Sequence, residues 1–420
     1  MRVHIIGAGL AGLAAAVHLT KRGASVSLYE AAPRAGGRCR SYHDSHLGCM
    51  IDNGNHLLLS GNSAAMTFLE MIGSRLELDG PTSAAYPFVD LQAGTRWTLQ
   101  PSRGRIPWWI LDSGRRVPGT TPSSYLSALR LLHATPTQTV ADIVSLGSAL
   151  YRKLWEPLTV AALNTSPDKA AAALMAPVLR ESFLKGADAC RPLIARNSLA
   201  AALVDPALAF LGRASAEIRL GCRVRALGIE DGRVNRLDAD TGPVDLDADD
   251  AVVIAVPPWV AGTLVPGLKG PPPGEAIVNV HYRLPRPFEQ VQILGLIGGL
   301  AQWLFLRGAL ASVTISAAGA LAEEDAESIA TKCWRDVALA LNDPSMAEPP
   351  SRVVKEKRAT FAQTPSAIAL RPDTRTGFAN LLLAGDWTAT GLPATIEGAV
   401  RSGFTAAEAA ISGRARLKAA

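Results

Sequence analysis

Cysteine is scarce in this chain and carries no pattern. The five present among 420 residues (Cys39, Cys49, Cys190, Cys222 and Cys333) are odd in number and scattered, with no CxxC pair. That excludes a disulfide frame and a zinc site, and it points to reduced thiols in the cytosol. His43 and His46 form an HxxH, but no third ligand pattern accompanies them, so the pair reads as a loop and no metal is expected. No targeting signal is expected at the N-terminus either, because an apolar strand begins at Arg2 and the helix after it belongs to a glycine motif. An uninterrupted membrane-length hydrophobic run is another absence. Gln290 to Leu306 is uncharged and mostly apolar, but Gly295, Gly298, Gly299, Gln302 and Trp303 interrupt it and Arg307 closes it. It reads as two buried strands joined at Gly298-Gly299, with a third strand near Ser312 to Ser316. No internal repeat, low-complexity tail or nucleic-acid-binding motif is present.

What is there begins with size. The 420 residues, 48% hydrophobic and 19% charged, suit two or more domains with ample core. Val3-His4-Ile5-Ile6-Gly7-Ala8-Gly9-Leu10-Ala11-Gly12 is an apolar run that turns on glycines into the helical pattern Leu13 to Arg22. Ala24 to Tyr29 then reads as a second strand ending at Glu30. In such a βαβ unit Gly7 permits the tight turn, Gly9 lets the backbone approach a pyrophosphate and Gly12 lets helix and strand pack closely. The phosphates would sit on the helix N-terminus, and Glu30 would accept hydrogen bonds from ribose hydroxyls.

A second glycine pair with an arginine follows, Ala35-Gly36-Gly37-Arg38-Cys39-Arg40-Ser41, and more than three hundred residues later comes Leu382-Leu383-Ala384-Gly385-Asp386-Trp387. Together these motifs resemble the FAD-dependent amine oxidase and carotenoid desaturase superfamily. The resemblance implies FAD, with Arg38 reaching the diphosphate, Asp386 the ribityl chain and the backbone of Val224 the adenine. A last helix from about Thr395 to Ile411 would point its N-terminus at the flavin ring. Implied FAD contacts are Gly7, Gly9, Leu10, Ala11, Gly12, Glu30, Gly36, Gly37, Arg38, Gly54, Val224, Gly385, Asp386, Ala394, Thr395 and Ile396.

The chain between these motifs alternates in character. Helical patterns dominate from Pro122 to about Phe210, including Tyr125 to Leu132, Val140 to Leu150 and Ala170 to Phe183; strand-like stretches run from Ile218 to Leu227 and from Ala251 to Val256, where Pro257-Pro258 ends the second. The implied fold is α/β: a Rossmann-like FAD-binding domain of amine-oxidase type with an inserted α+β substrate domain. Residues 1–75, 206–275 and 366–420 would form the FAD domain, 76–205 the helical part of the insertion and 276–365 its β-rich part.

Three further stretches are similar to one family, the hydroxysqualene dehydroxylases. They are Met50-Ile51-Asp52-Asn53-Gly54-Asn55-His56-Leu57-Leu58-Leu59-Ser60-Gly61-Asn62, then Trp155-Glu156-Pro157-Leu158 with Ala162-Leu163-Asn164-Thr165, and Glu356-Lys357-Arg358-Ala359-Thr360-Phe361-Ala362-Gln363-Thr364-Pro365. The resemblance implies a reductive step of bacterial hopanoid or related triterpenoid synthesis, in which hydroxysqualene and reduced FAD give squalene, water and oxidised FAD. Because the alcohol is allylic, loss of water leaves a delocalised cation that a hydride from flavin N5 can quench. The protein would supply a donor to the leaving oxygen, a dry pocket and support for the cation.

His56 is the first candidate for the donor, on the ground that its ordinary pKa lies near neutrality. Asp52 and Asn55 would polarise His56 or hold the loop. The same three residues also fit plain hydrogen bonding in a turn around Gly54. Glu397 reads either as a group near the flavin or as a carboxylate favoured by a helix N-terminus, and Arg358 either steadies FAD or lines the pocket, or is a solvated or paired structural arginine. Two other classes stay open: an oxidative enzyme of the same fold, acting on polyenes or amines, and a non-enzymatic prenyl-lipid carrier. Leu392-Pro393-Ala394 supplies no aromatic for an amine oxidase cage, and a carrier would not need Arg38 and Asp386.

The expected partners are a long apolar isoprenoid substrate, an electron donor that the sequence does not identify and the synthases of the squalene pathway. Net charge of +5 with pI near 9.0 suits an acidic partner. In Arg103-Gly104-Arg105-Ile106-Pro107-Trp108-Trp109-Ile110-Leu111, with Arg115-Arg116 after it, interfacial aromatics adjoin cations. That suits a cytoplasmic protein in peripheral contact with the inner face of the plasma membrane; a core-filling Trp pair between solvated arginines fits as well.

Overall fold

The computed structural model describes the backbone of residues 1–419 and the side chains of residues 1–413. Of the stretch expected over 366–420, Ala420 lies outside the described residues. A five-stranded parallel sheet forms the centre of the nucleotide domain, in the order Glu217–Leu220, Ser25–Glu30, Arg2–Ile6, Ala251–Ile254, Leu381–Leu383. Three separate chain stretches thus build one sheet. Ile5 stands beside Leu28 on one side and Val253 on the other, and Val253 beside Leu382. All are buried, as expected of strands covered on both faces.

The helix Leu10–Lys21 presents nine buried positions and packs against the last helix, Ile396–Ala419. Small residues set their approach: a side chain at Gly403 would start 2.3 Å from the carbonyl oxygen of Ala11. Strand order reverses between Arg2–Ile6 and Ala251–Ile254, and the crevice beyond their carboxyl ends is where such sheets bind ligands.

The substrate part is built on a long antiparallel hairpin, Ile277–Ile297 with Trp303–Ile315, turning at Gly298-Gly299. The separate strand expected near Ser312 to Ser316 is therefore the far end of the second hairpin arm. Pairing slips between Arg283 and Gln292, where Pro285 and Pro287 offer no amide to the ladder. Ser351–Glu356 pairs with the start of the first arm and Tyr86–Asp90 with its end; Thr95–Leu99 completes the sheet. Residues 86–99, expected within a helical part, thus belong to this sheet. The helix Ala326–Ala340, capped by Asp325 on the amide of Ser328, covers it through Ile329, Cys333, Trp334 and Val337.

Two other sequence expectations give way to local chemistry. Val140 to Leu150 is a set of turns, because Asp142 takes the amide of Thr139 and Ser148 that of Tyr151, which delays the helical chain to Tyr151–Leu163. Ile218 to Leu227 breaks at Gly221 into two strands. Glu217–Leu220 joins the parallel sheet, and Val224–Glu230 joins a three-stranded antiparallel sheet with Arg233–Ala239 and Gly242–Asp245. His43 lies on one arm of the hairpin Ser41–Asp44 and Cys49–Asp52, and His46 in its turn. Among the described residues no cluster of His, Cys, Asp and Glu could hold a metal ion, and no helix is long and apolar enough to cross a membrane.

Candidate active site

One cavity of about 1190 Å³ runs from the crevice of the parallel sheet into the substrate part. Ordinary small-ligand sites measure roughly 300–1,000 Å³, so there is room for more than one ligand. At its nucleotide end Gly7 takes φ +107° to turn the chain from strand to helix, and Gly12 lies so close beneath it that a Cβ would sit 1.9 Å from the Gly7 carbonyl oxygen. Gly9 differs, since nothing lies within 4 Å of where its Cβ would be and the free space is the cavity itself. The helix that starts after Gly9 has no side-chain cap and no acid in its first turn, which leaves its amides for an anion.

The second glycine motif closes over the first. Gly36 donates its amide to Ala8 O at 2.8 Å and bridges Gly9. Glu30 receives the amides of Ala8 and Ala32 at 2.8 and 2.9 Å, which fixes its carboxylate at the cavity wall beside Val224. A cradle of open backbone, uncapped amides and a fixed carboxylate fits a dinucleotide.

Arg38 and Asp386, 348 residues apart, form an ion pair of 2.7 Å on the cavity wall. Arg38 also donates to Ala359 O at 2.7 Å. The turn carrying Asp386 is shaped by Trp387, whose indole folds back until a Cβ on Gly385 would start 2.3 Å from Nε1, and which donates to Val256 O. Arg371, which the sequence reading passed over, holds the same turn from outside. It donates to the carbonyls of Asp386, Thr388 and Leu392 and to Thr390 Oγ1, and lies over the Phe361 ring at 4.9 Å. Burial pulls its pKa down to about 10. A lone arginine in a loop carries no motif that would have revealed this.

Most of the residues expected at FAD line the cavity: Gly7, Gly9, Leu10, Ala11, Glu30, Gly36, Gly37, Arg38, Val224, Gly385, Asp386, Ala394, Thr395 and Ile396. Gly12 and Gly54 do not. Gly12 is the packing glycine just described, and Gly54 is backed against the side chain of Asn279, 3.0 Å from where its Cβ would stand.

The Asp52-to-His56 run divides by depth. Asp52 is buried, accepting from Ser41 Oγ at 2.6 Å, the Leu199 amide at 2.9 Å and Arg307 Nη2 at 2.9 Å. It therefore faces away from the large cavity, as an anchor between strand, helix and hairpin. Asn53 is also buried and donates to Glu356. Asn55 and His56 reach the large cavity; Asn55 is held by Thr314 Oγ1 at 3.0 Å. His56 forms part of the wall between that cavity and a chamber of about 10 Å³, lined also by Asp52, Asn55, Arg307 and Ser312. Burial first, then the charge of Arg38, outweighs Asp52 and brings its pKa down to about 4. The ring is thus neutral near pH 7, which corrects the premise of a group poised at neutrality. Burial likewise pushes the Cys39 thiol on the cavity wall up to about 12, which favours the protonated form near pH 7.

Glu397 is buried, with its carboxylate on the amides of Ala64 and Ala65 at 3.0 and 2.9 Å and on Arg401 at 2.8 Å. The helix N-terminus it serves is that of Ser63–Ile72, not only its own. Arg401 turns also to Glu181 with two bonds of 3.0 and 2.8 Å. Arg358 is exposed at the cavity rim, over the Trp259 ring at 5.2 Å. Asn164 and Gln363 explain two of the sequence stretches as ties. Asn164 bonds Glu275 O, Thr360 Oγ1 and the Ala317 amide, while Gln363 bonds Leu163 O and the Ala394 amide at the start of the last helix.

Beyond His56 the cavity wall is largely apolar and aromatic, with Phe88, Leu154, Leu158, Phe183, Trp303 and Phe305, and Glu181 and Ser182 among its polar members. Trp303 and Phe305 alternate with Leu304 on one hairpin arm, and Phe88 meets Trp303 edge-on at 5.7 Å.

The family model described as flavin containing amine oxidoreductase matches residues 10–411. The chain is 47% identical over 410 residues to the hydroxysqualene dehydroxylase of Sinorhizobium fredii, with 98% of each chain covered. It is 46% identical over 415 residues to that of Rhodopseudomonas palustris, covering 98% of this chain and 99% of the other. Among solved structures, cyclohexylamine oxidase from Brevibacterium oxydans superposes with a TM-score of 0.72 at 18% identity over 99% of each chain, a likeness of fold alone.

Proposed function

The chain belongs to the flavin containing amine oxidoreductases and, among them, to the hydroxysqualene dehydroxylase family, and on that premise we propose that it reduces hydroxysqualene to squalene. It is an FAD-dependent oxidoreductase. The observation that carries the reading is one continuous cavity, shaped for a dinucleotide at one end and for a long apolar chain at the other, with His56 and Asn55 on its wall.

Held by the glycine turn, Glu30, Arg38 and Asp386, reduced FAD would supply a hydride and one proton, which balances the loss of the hydroxyl as water. The chain's own residues bind, orient and exclude water. The neutral His56 ring donates an N–H hydrogen bond to the hydroxyl oxygen, and Asn55, fixed by Thr314, helps to hold it, while the proton that completes water is the one reduced FAD would release. Asp52 acts through the loop it anchors. As the C–O bond breaks, the aromatic rings of Phe88, Trp303 and Phe305 offer electron-rich surface to the allylic cation without a nucleophile to trap it. The apolar wall keeps competing water out. The product would feed hopanoid or related triterpenoid synthesis, with the protein cytoplasmic, peripheral at a membrane and working beside squalene-pathway synthases.

Anaerobic incubation of the dithionite-reduced enzyme with hydroxysqualene should give squalene and reoxidised flavin in equal amounts. Oxygen-dependent oxidation of an amine or a polyene, with no squalene formed, would overturn the reading.

A further inference from the structure

Apolar side chains are exposed on two adjoining elements of the helical part. Ile106, Trp108 and Leu111 are 57%, 60% and 58% exposed around the helical turn Trp108–Leu111, and Leu126 and Leu129 are 60% and 54% exposed on the adjoining helix Leu126–Leu131. The Trp pair is split, since Trp109 is buried and meets Tyr125 edge-on at 5.2 Å, which joins the two elements. Trp108 is left outside.

The charge of the chain collects in the same segment. Residues 101–155 hold seven Lys and Arg against two Asp, a balance of +5, while the rest of the chain has 35 of each sign. Of the seven, only Lys153 pairs with a carboxylate among the described residues. Arg103 and Arg105 stand exposed beside Ile106, whereas Arg115 and Arg116 donate to main-chain carbonyls, which leaves their charge uncompensated. An exposed apolar cluster rimmed by unpaired cations is complementary to an anionic, partly apolar surface.

This face also lies one helix away from the apolar end of the cavity. The helix Met175–Glu181 lines the cavity with Pro177, Val178 and Glu181, and Arg180 on it bonds Leu132 O at 2.6 Å, at the end of the exposed helix. The loop carrying Arg103 and Arg105 is tied through Ser102 O to the amide of Ala187, just beyond the cavity-lining Phe183.

We propose that this face seats on an anionic lipid bilayer, with Ile106, Trp108, Leu111, Leu126 and Leu129 entering the headgroup layer and the arginines on lipid phosphates, and that the substrate enters the cavity from this side. The second half rests on the proposed reaction; the first does not.

The test is cosedimentation of the FAD-loaded full chain with phosphatidylcholine vesicles, with and without one-third phosphatidylglycerol, and no substrate present. The enzyme should bind the anionic vesicles and be released by salt. Arg103→Gln with Arg105→Gln should weaken binding roughly tenfold or more, at about 1 kcal/mol for each charge near such a surface. Trp108→Ser with Leu126→Ser should weaken binding as well, and both pairs should leave turnover of detergent-dispersed substrate unchanged. Equal binding by wild type and variants, binding to neither vesicle, or a dimer in sedimentation that Leu126→Ser dissolves would each overturn the assignment. Vesicle binding with no turnover of hydroxysqualene would instead sink the proposed reaction and leave the lipid face standing.

Discussion

Replacing Glu397 with Ala separates architecture from chemistry at the point where the last helix meets the cavity. The carboxylate takes two amides at the start of the helix Ser63–Ile72 and one arm of Arg401. Loss of a helix cap costs about 1 kcal/mol, up to about 2. Leaving buried donors unsatisfied costs about 1–3 kcal/mol each, which water entering the space of the lost side chain reduces. Arg401 is not orphaned, because it keeps both bonds to Glu181. A loss of about 2–4 kcal/mol follows. A 420-residue chain unfolding as one unit has an unfolding entropy near 0.9 kcal/mol/K, so the midpoint of thermal unfolding should fall by roughly 2–5 °C. Glu397→Gln keeps one acceptor oxygen and should fall by less than half as much. The assay is differential scanning calorimetry of the FAD-loaded protein, with FAD content and turnover measured on the same samples below the transition. An unchanged midpoint accompanied by lost turnover at full FAD content would refute the capping argument and make Glu397 a group of the reaction.

His56→Ala should keep its FAD and lose turnover at least tenfold, and unchanged turnover would reject the donor role. His56 and His281 both have pKa values lowered by burial to about 4, so they are neutral when folded and take up protons on unfolding below about pH 6.5. Their contribution to stability is present above pH 6.5 and is lost as pH falls towards 4. His281→Asn should flatten the fall in thermal midpoint over that window, and an equally steep fall in the variant would contradict it. Gly12→Ala should prevent folding, since its Cβ would meet the Gly7 carbonyl oxygen at 1.9 Å, while Gly9→Ala should fold and bind FAD several-fold more weakly, read by flavin fluorescence. Equal folding yields for the two would undo the distinction between packing glycine and cavity glycine.

Much of the nucleotide half was legible because its signals are local. Gly7, Gly9 and Gly12 answer to the sterics of one strand-to-helix turn, and Glu30 to the length of one strand, so neighbours in sequence are neighbours in space. The hairpin turning at Gly298-Gly299 was legible for the same reason, as an apolar run broken at glycines. Where polar side chains compete for the backbone, as Asp142 and Ser148 do, periodicity misled.

The functional half divides differently. The sequence by itself determined the dinucleotide turn from the spacing of its glycines, and through its resemblance to a known family it implied the cofactor, the discontinuous order of the chain and the family. Only the tertiary structure decided which members of the Asp52-to-His56 run face the cavity. Neighbouring residues of one short segment were sorted by partners hundreds of positions away: Asp52 by Arg307 and Asn53 by Glu356 away from the cavity, while Asn55, held by Thr314, and His56 stand on its wall. The Gly385-Asp386 turn likewise owes its shape to Arg371 and its charge partner to Arg38. Long-range pairing and burial are properties of the packed chain, and burial, which moves His56 away from neutrality, has no counterpart in the spacing of residues along it.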